Sequence, residues 1–175
     1  MALAGVAATP AAASPAPAKS NFAAVVEVCE GETLNTTNQD GEPLSAAEFE
    51  VAIEMVESFC QYQSTIRPFG VTYGDYVRND TRAKVETCPC GTYQSWSIDV
   101  NAVGVPYGAN DLGVIYRVQP GSGAWNHWPV LPITTGGSLP TLSGTMPQYS
   151  VIQSYGTLWI NGVVEDEVFN SVGAG

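Results

Sequence analysis

A mainly β fold, either a β-sandwich or a partly closed barrel rich in turns, is the architecture that this sequence predicts. Charged residues make up only 13% of the 175-residue chain, against about 25% in a typical domain. The chain also contains 18 Gly and 12 Pro, which divide it into short segments bounded by turns. Most of these segments are rich in β-branched and aromatic residues, and one has helical periodicity.

The first twenty residues, MALAGVAATPAAASPAPAKS, predict an extended arm that precedes one domain spanning 21–175. Nine of them are Ala, three are Pro, and Lys19 carries the only charge. A secretory signal is disfavoured because no base precedes the apolar part. The composition is typical of a flexible or polyproline-like arm that orders only against a partner. The residues expected to make these assembly contacts are Ala2, Leu3, Val6, Pro10, Pro15 and Pro17.

The domain is predicted to begin with a strand over Phe22–Cys29, followed by an acidic loop over Glu30–Pro43. An amphipathic helix near 46–63 comes next, because Ser45 and Glu48 have the spacing of a capping box. Apolar residues then recur at helical intervals, which predicts a face that covers a sheet. They are Phe49, Ala52, Ile53, Val56, Phe59 and Cys60.

The rest of the chain predicts short strands or extended segments separated by turns. The extended segments are Phe69–Val77, Thr92–Val105, Leu112–Val118 and Trp125–Ile133, with turns at Gly108–Asp111 and Pro120–Gly123 and a long loop over Thr134–Pro147. Pro129 and Pro132 place Trp125–Ile133 at a sheet edge. The strongest hairpin signal is Tyr149–Val164, in which Asn161-Gly162 suits a type I′ turn.

The formal net charge of −11 disfavours direct binding to nucleic acid or to anionic membranes, both of which attract basic surfaces. Between Glu27 and Glu57 there are eight Glu, one Asp and no base. Four of the six basic residues fall in one stretch, as Arg67, Arg78, Arg82 and Lys84. This segregation is typical of solvated faces, or of acidic and basic patches that meet between subunits.

The four cysteines allow several arrangements. Cys29 and Cys60 bracket the acidic segment and could form a disulfide. Cys88 and Cys90 are separated only by Pro89, so a bridge between them would be strained. Buried reduced thiols and a zinc site that includes His127 remain alternatives. No metal or other cofactor is expected.

The sequence does not favour an enzyme. His127 is the single histidine, and no nucleophile elbow accompanies it. The residues around it, Trp125, Asn126, His127 and Trp128, are instead a candidate platform for stacking sugar rings. The alternative for the same residues is packing in a core or an interface, where Trp is common.

These observations predict a non-enzymatic structural subunit of a large assembly. The class that fits best is a virion protein: a capsid decoration or cement protein, or a coat or tube subunit. Its expected partners are copies of itself and other subunits of the particle, and its expected location is the particle surface. The alternative is a secreted carbohydrate-binding or adhesion module that uses the Trp125–Trp128 platform.

Overall fold

The computed structural model describes residues 25–63, 74–88, 91–105, 110–119, 123–133 and 140–173. Within these ranges the chain forms one long helix and a series of antiparallel strands. The elements are β1 (Val25–Cys29), β2 (Glu32–Asn35), α1 (Ala46–Gln63), β3 (Val77–Cys88), β4 (Gly91–Ala102), β5 (Asn110–Gln119), β6 (Asn126–Ile133), β7 (Leu142–Pro147), β8 (Val151–Ile160) and β9 (Val163–Gly173).

Two antiparallel sheets pack face to face, as in a sandwich. The first has the strand order β3-β4-β7 and the second β6-β5-β8-β9. Both contribute to the core between them, for example through Val100 on β4 and Ile152 on β8. Val114, Tyr116 and Val118 of β5 all face this core, as the alternation of a strand requires. The prediction of a mainly β fold is confirmed, and the described strands do not close into a barrel.

A third layer, here called the cover layer, consists of α1 and the β1–β2 hairpin. It packs on the other face of the four-stranded sheet, against side chains such as Tyr155 and Trp159 of β8. The hairpin also joins the sheet through its backbone. The N–H of Asn35 donates to the carbonyl of Trp125 at 2.8 Å, and the N–H of Trp125 donates to the carbonyl of Thr33 at 2.7 Å. The four-stranded sheet therefore carries an apolar core on each face.

The helix is confirmed with the predicted bounds. The backbone N–H of Ser45 donates to the Glu48 carboxylate at 2.9 Å, and the N–H of Glu48 donates to the Ser45 hydroxyl at 3.3 Å. This reciprocal pair satisfies donors that the first turn of a helix leaves open. The buried face comprises Ala52, Met55, Val56, Phe59 and Tyr62, and it covers a sheet as expected.

Three strands differ from the prediction. β2 lies where the acidic loop was expected, β7 lies within the predicted loop Thr134–Pro147, and most of β3 was not predicted. In β3 the inward positions include Asn79 and Thr81, which are buried although polar. In β7 the inward position 144 is Gly, because the Trp96 ring fills the space that a side chain would need. In both strands the apolar alternation that marks a strand is therefore interrupted.

The C-terminal hairpin is confirmed. β8 and β9 pair on either side of Asn161 and Gly162, whose φ angles of 53° and 77° are those of a type I′ turn. β6 is an edge strand of the four-stranded sheet, as its prolines predicted. The predicted arm of residues 1–20, the segment 69–73 and the turn residues 108–109 and 120–122 lie outside the described ranges.

Candidate functional site

The four residues of the predicted platform lie at the start of β6, with successive side chains on opposite faces. Trp125 and His127 are buried, with exposed fractions of 0% and 4%. Trp128 packs against the other core, between the sheets. Asn126 accepts a hydrogen bond from the Asn35 amide at 2.7 Å. The structure does not bring these side chains together on one exposed surface, which stacking against a sugar would require.

Trp125 belongs instead to a buried network centred on Glu32 and Arg117. The Arg117 guanidinium forms a salt bridge with the Glu32 carboxylate, and both side chains are about nine-tenths buried. The Trp125 indole N–H donates to the same carboxylate at 2.8 Å. Arg117 Nε donates to Gln153 Oε1 at 2.7 Å. The charges thus have the partners that burial demands.

Aromatic rings enclose this network. The Arg117 guanidinium carbon lies 4.4 Å from the centroid of the Trp125 ring and 5.7 Å from that of Phe59, within the range of cation–π attraction. Phe59 meets Trp125 edge to face, with centroids 4.6 Å apart. Glu32 comes from β2, Phe59 from α1 and Arg117 from β5. The network therefore anchors the cover layer to the sheet, and the hydrogen bonds of its polar atoms described above are made within the protein.

His127 is buried beneath the cover layer, and neither ring nitrogen has a hydrogen-bond partner among the described residues. Burial lowers the pKa of His127 below its usual value, and the negative charge of Glu48 opposes this shift. The pKa of Glu48 is itself lowered by its hydrogen bonds with Ser45. His127 is therefore neutral at neutral pH.

A second buried polar group lies between the sheets. The Asn79 side-chain amide donates to the Ser154 hydroxyl at 2.7 Å, and the Thr81 hydroxyl donates to Asn79 Oδ1 at 3.0 Å. The Thr81 and Ser154 hydroxyls are 2.6 Å apart. Asn170 lies opposite Ser154 in the β8–β9 pairing and is fully buried. These contacts join β3 to β8 across the sandwich.

Carboxylates of β9 make two further contacts. Asp166 Oδ2 accepts hydrogen bonds from the backbone N–H groups of Tyr76 and Val77, each at 2.7 Å. This holds the start of β3 against the neighbouring sheet. The Tyr155 hydroxyl donates to Glu167, and burial together with this carboxylate raises the pKa of Tyr155 far above its usual range. Asp166 thus joins β9 to β3, and Glu167 joins β9 to β8.

Cys29 and Cys60 are joined in a disulfide, the pairing that the sequence raised for these two residues. The bond connects β1 to α1 and so lies within the cover layer. The Cys88 side chain and Cys90 lie outside the described residues, and so do the six arm residues from Ala2 to Pro17. The alternatives for those cysteines and the predicted contacts of the arm stay predictions.

The described residues contain no group of three or more His, Cys, Asp or Glu side chains placed to hold a metal ion. In the same ranges, no helix combines the length and the apolarity that crossing a bilayer requires. Comparison with known proteins adds no relative, because no protein-family model matches the chain and no curated protein is significantly similar to it.

Sequence reasoning missed the Glu32–Arg117 pair. Arg117 stands out as the only base after Val85, a signal that it has a specific partner. Its partner is 85 residues away, within a run of acidic residues that look alike in sequence. Only the docking of the β1–β2 hairpin beside β6 distinguishes Glu32 from the others.

Proposed function

We propose that this protein is a non-enzymatic structural subunit of a large assembly, and that the assembly is a virus or phage particle. The role that fits best is a decoration or cement protein on a capsid, with a coat or tube subunit as the nearest variant. The N-terminal segment 1–20 is the element that reaches neighbouring subunits. The observation that carries this proposal is its composition: it is Ala- and Pro-rich, with Lys19 as its single charge.

The described part of the chain supports a structural role rather than a binding role for the folded domain. Within the described residues, the hydrophobic effect that stabilises the domain acts in two core clusters, one between the sheets and one under the cover layer. Residues that the sequence offered for binding make contacts within the domain instead: Trp125 donates to Glu32, and Asn126 accepts a hydrogen bond from Asn35.

The Cys29–Cys60 disulfide supports a location on the outside of a particle, because structural disulfides persist in oxidising surroundings. A secreted protein would meet the same condition. The strongly acidic run from Glu27 to Glu57 also suits an outer surface better than one that packs nucleic acid.

The test compares the full chain with two variants. One lacks residues 1–20, and the other replaces them with a Gly/Ser segment of equal length, which keeps the chain length but removes the Ala/Pro composition. Native mass by light scattering and particle images by electron microscopy report assembly, and circular dichroism reports folding. We expect large particles from the full chain and folded, smaller species from both variants.

The contrary result is equally clear. If the Gly/Ser variant assembles as well as the full chain does, the arm has no specific role and the proposal fails. A full chain that stays monomeric at high concentration and binds a glycan array would favour the secreted module instead. Loss of that binding in Trp128→Ala would then assign the glycan to β6.

A further inference from the structure

Tyr149 adopts an unfavourable backbone conformation without burying its ring. It lies in the turn between β7 and β8 with a φ of 65°, and the turn is closed by a hydrogen bond from the Ser150 N–H to the Pro147 carbonyl at 3.2 Å. A type II turn favours Gly or Asn at this position, and a bulky residue there is strained. The Tyr149 side chain is nevertheless 75% exposed, so packing within the domain does not explain the residue.

A second exposed aromatic ring lies on the neighbouring strand. Tyr93 of β4 is 46% exposed. It is the register partner of Pro147 on β7, and Pro147 comes two residues before Tyr149. In the described part of the chain, the other large hydrophobic residues with comparable exposure are all valines. The two exposed aromatic residues of the described ranges therefore occupy one end of the sandwich, with Pro147 between them. We call Tyr93, Pro147 and Tyr149 the aromatic edge.

Among the described residues, the charged neighbours of the aromatic edge lie on its β3 side, where Glu86 is the register partner of Tyr93 and pairs with Lys84. No Asp, Glu, Lys or Arg occurs from Val118 to Val164, or from Gly91 to Ile98. β7, the turn that follows it and the adjoining part of β4 are thus free of charged side chains. On a chain with a net charge of −11, copies repel one another. Repulsion is low on the β7 side of this edge, where the residues are uncharged, and Lys84 partly balances Glu86 on the β3 side.

We propose that the aromatic edge is the docking site for the N-terminal arm of a neighbouring copy of this chain. The inference rests on the proposed function, which assigns assembly to the arm, and it adds the surface that receives the arm. Residues 1–18 carry no charged side chain, so Glu86 beside Tyr93 does not repel them. Pro-rich extended segments dock in grooves lined by aromatic rings, because their conformation is preformed and loses little entropy on binding.

The arm has the composition for this contact. Pro10, Pro15 and Pro17 are separated by Ala and Ser, so no bulky side chain keeps the proline rings from Tyr93 and Tyr149. An acidic face, such as that formed by the exposed Glu50, Glu54 and Glu57 of α1, could pair with Lys19 at the end of the arm but offers no rings to its prolines. The aromatic edge is therefore the better receptor for the proline-containing part of the arm.

The first test is the substitution Tyr149→Asn in the full chain. Asn accepts positive φ more readily than Tyr, so we expect an unchanged or higher melting temperature. Loss of the ring should raise the concentration needed for half-maximal assembly about tenfold or more, as for central aromatic residues of interfaces. Tyr93→Thr, which preserves strand propensity, should weaken assembly in the same way. Val163→Ser is the matched control, since Val163 is 64% exposed at the other end of β8.

The second test maps the contact directly. A photo-reactive phenylalanine analogue replaces Val6 in an isotopically labelled chain, which is mixed with unlabelled chain before irradiation. Cross-links from the labelled arm to unlabelled peptides containing Tyr93 or Tyr149 support the docking site. Cross-links between copies that map elsewhere overturn the docking site but leave the assembly function intact. Particles that form with no arm-mediated cross-link between copies overturn the arm's role, and a monomer by light scattering overturns both proposals.

Discussion

At the scale of single residues, the buried salt bridge between Arg117 and Glu32 couples the layers most directly. Both side chains are about nine-tenths buried, and Trp125 and Gln153 complete their hydrogen bonds. A buried ion pair is not in itself a large source of stability, because desolvation offsets the attraction between the charges. Removing one partner is different, since it leaves the other charge buried and uncompensated.

We expect Arg117→Met to lower the free energy of unfolding by about 3–5 kcal/mol, because Glu32 would remain buried without its counter-charge. Urea denaturation followed by tryptophan fluorescence measures this loss. The double variant Arg117→Met with Glu32→Leu should recover most of it, since neither charge is then buried.

The matched control is Arg82→Met, which breaks the exposed pair of Arg82 with Asp80 on β3. Exposed pairs contribute little, so this variant should lose less than about 1 kcal/mol. Equal losses from Arg117→Met and Arg82→Met would show that the buried pair does not anchor the cover layer.

His127 predicts a pH dependence of stability. Its pKa in the folded protein is lowered, chiefly by burial, whereas the unfolded chain has the ordinary value of about 6.5. Below that value the unfolded chain binds more protons than the folded protein, so stability falls as the pH decreases. The fall begins near pH 6.5 and continues down to the lowered pKa of the folded state.

Urea denaturation at several values between about pH 7.5 and pH 5.5 tests this prediction. His127→Leu should remove the slope in that window, because nothing at position 127 then titrates. Glu48 faces His127 from α1 and has a lowered pKa, but its contribution is lost only at more acidic pH. A slope that persists unchanged in His127→Leu would assign it to another group.

At the scale of elements, two strand glycines provide a matched comparison. A Cβ added at Gly144 of β7 would lie 2.6 Å from the Trp96 ring, whereas one added at Gly156 of β8 would lie 3.5 Å from its nearest neighbours, three valine methyl groups. We expect Gly144→Ala to destabilise the protein by about 1–3 kcal/mol through overpacking. Gly156→Ala should be neutral or slightly stabilising, because Ala restricts the unfolded chain.

Urea denaturation of the two variants provides the measurement. Trp96 fluorescence gives a second readout, which only Gly144→Ala should change, since its methyl group meets that ring. If both substitutions cost the same, the close packing of Trp96 over β7 is not what excludes a side chain at position 144.

The elements that the sequence predicted well are those whose signals are local. The capping box of Ser45 and Glu48 and the Asn161-Gly162 turn each involve a few neighbouring residues. β3 and β7 could not be predicted in this way. Asn79 and Thr81 are tolerated inside β3 because Ser154 provides their hydrogen bonds, and Gly144 is required by Trp96. Both partners are distant in sequence, so the pattern of each strand is intelligible only with its partner in place.

The candidate platform shows a different limit. An extended segment places residues three apart on opposite faces, so the separation between Trp125 and Trp128 already argued against one platform. Composition favoured the platform, whereas strand periodicity opposed it. Burial of Trp125 depends on the β1–β2 hairpin, whose second strand was not predicted. The aromatic edge was hidden for a similar reason, since the pairing of Tyr93 with Pro147 depends on β7.

At the scale of the whole molecule, the three layers differ in how they are held. The sandwich has its own core, formed by both sheets. The cover layer is attached by the second core, the Arg117–Glu32 pair and the backbone bonds between β2 and Trp125. The Cys29–Cys60 disulfide crosslinks α1 to β1 inside this layer. Proteins often open in cooperative units of this kind, with the least anchored unit opening first.

Reduction of the disulfide therefore has an expected order of events. The two cysteines are 31 residues apart in sequence. Opening a loop of this length should lower the free energy of unfolding by about 3–4 kcal/mol. Hydrogen exchange should accelerate first in α1 and β1, while the amides of β4 keep their protection, because β4 pairs on both sides within the sandwich. The double variant Cys29→Ser with Cys60→Ser should have the same stability and exchange pattern as the reduced protein, and reductant should not change them further. Any remaining effect of reductant on this variant would come from Cys88 and Cys90. Simultaneous loss of protection in α1 and β4 would instead show that the three layers unfold as one cooperative unit.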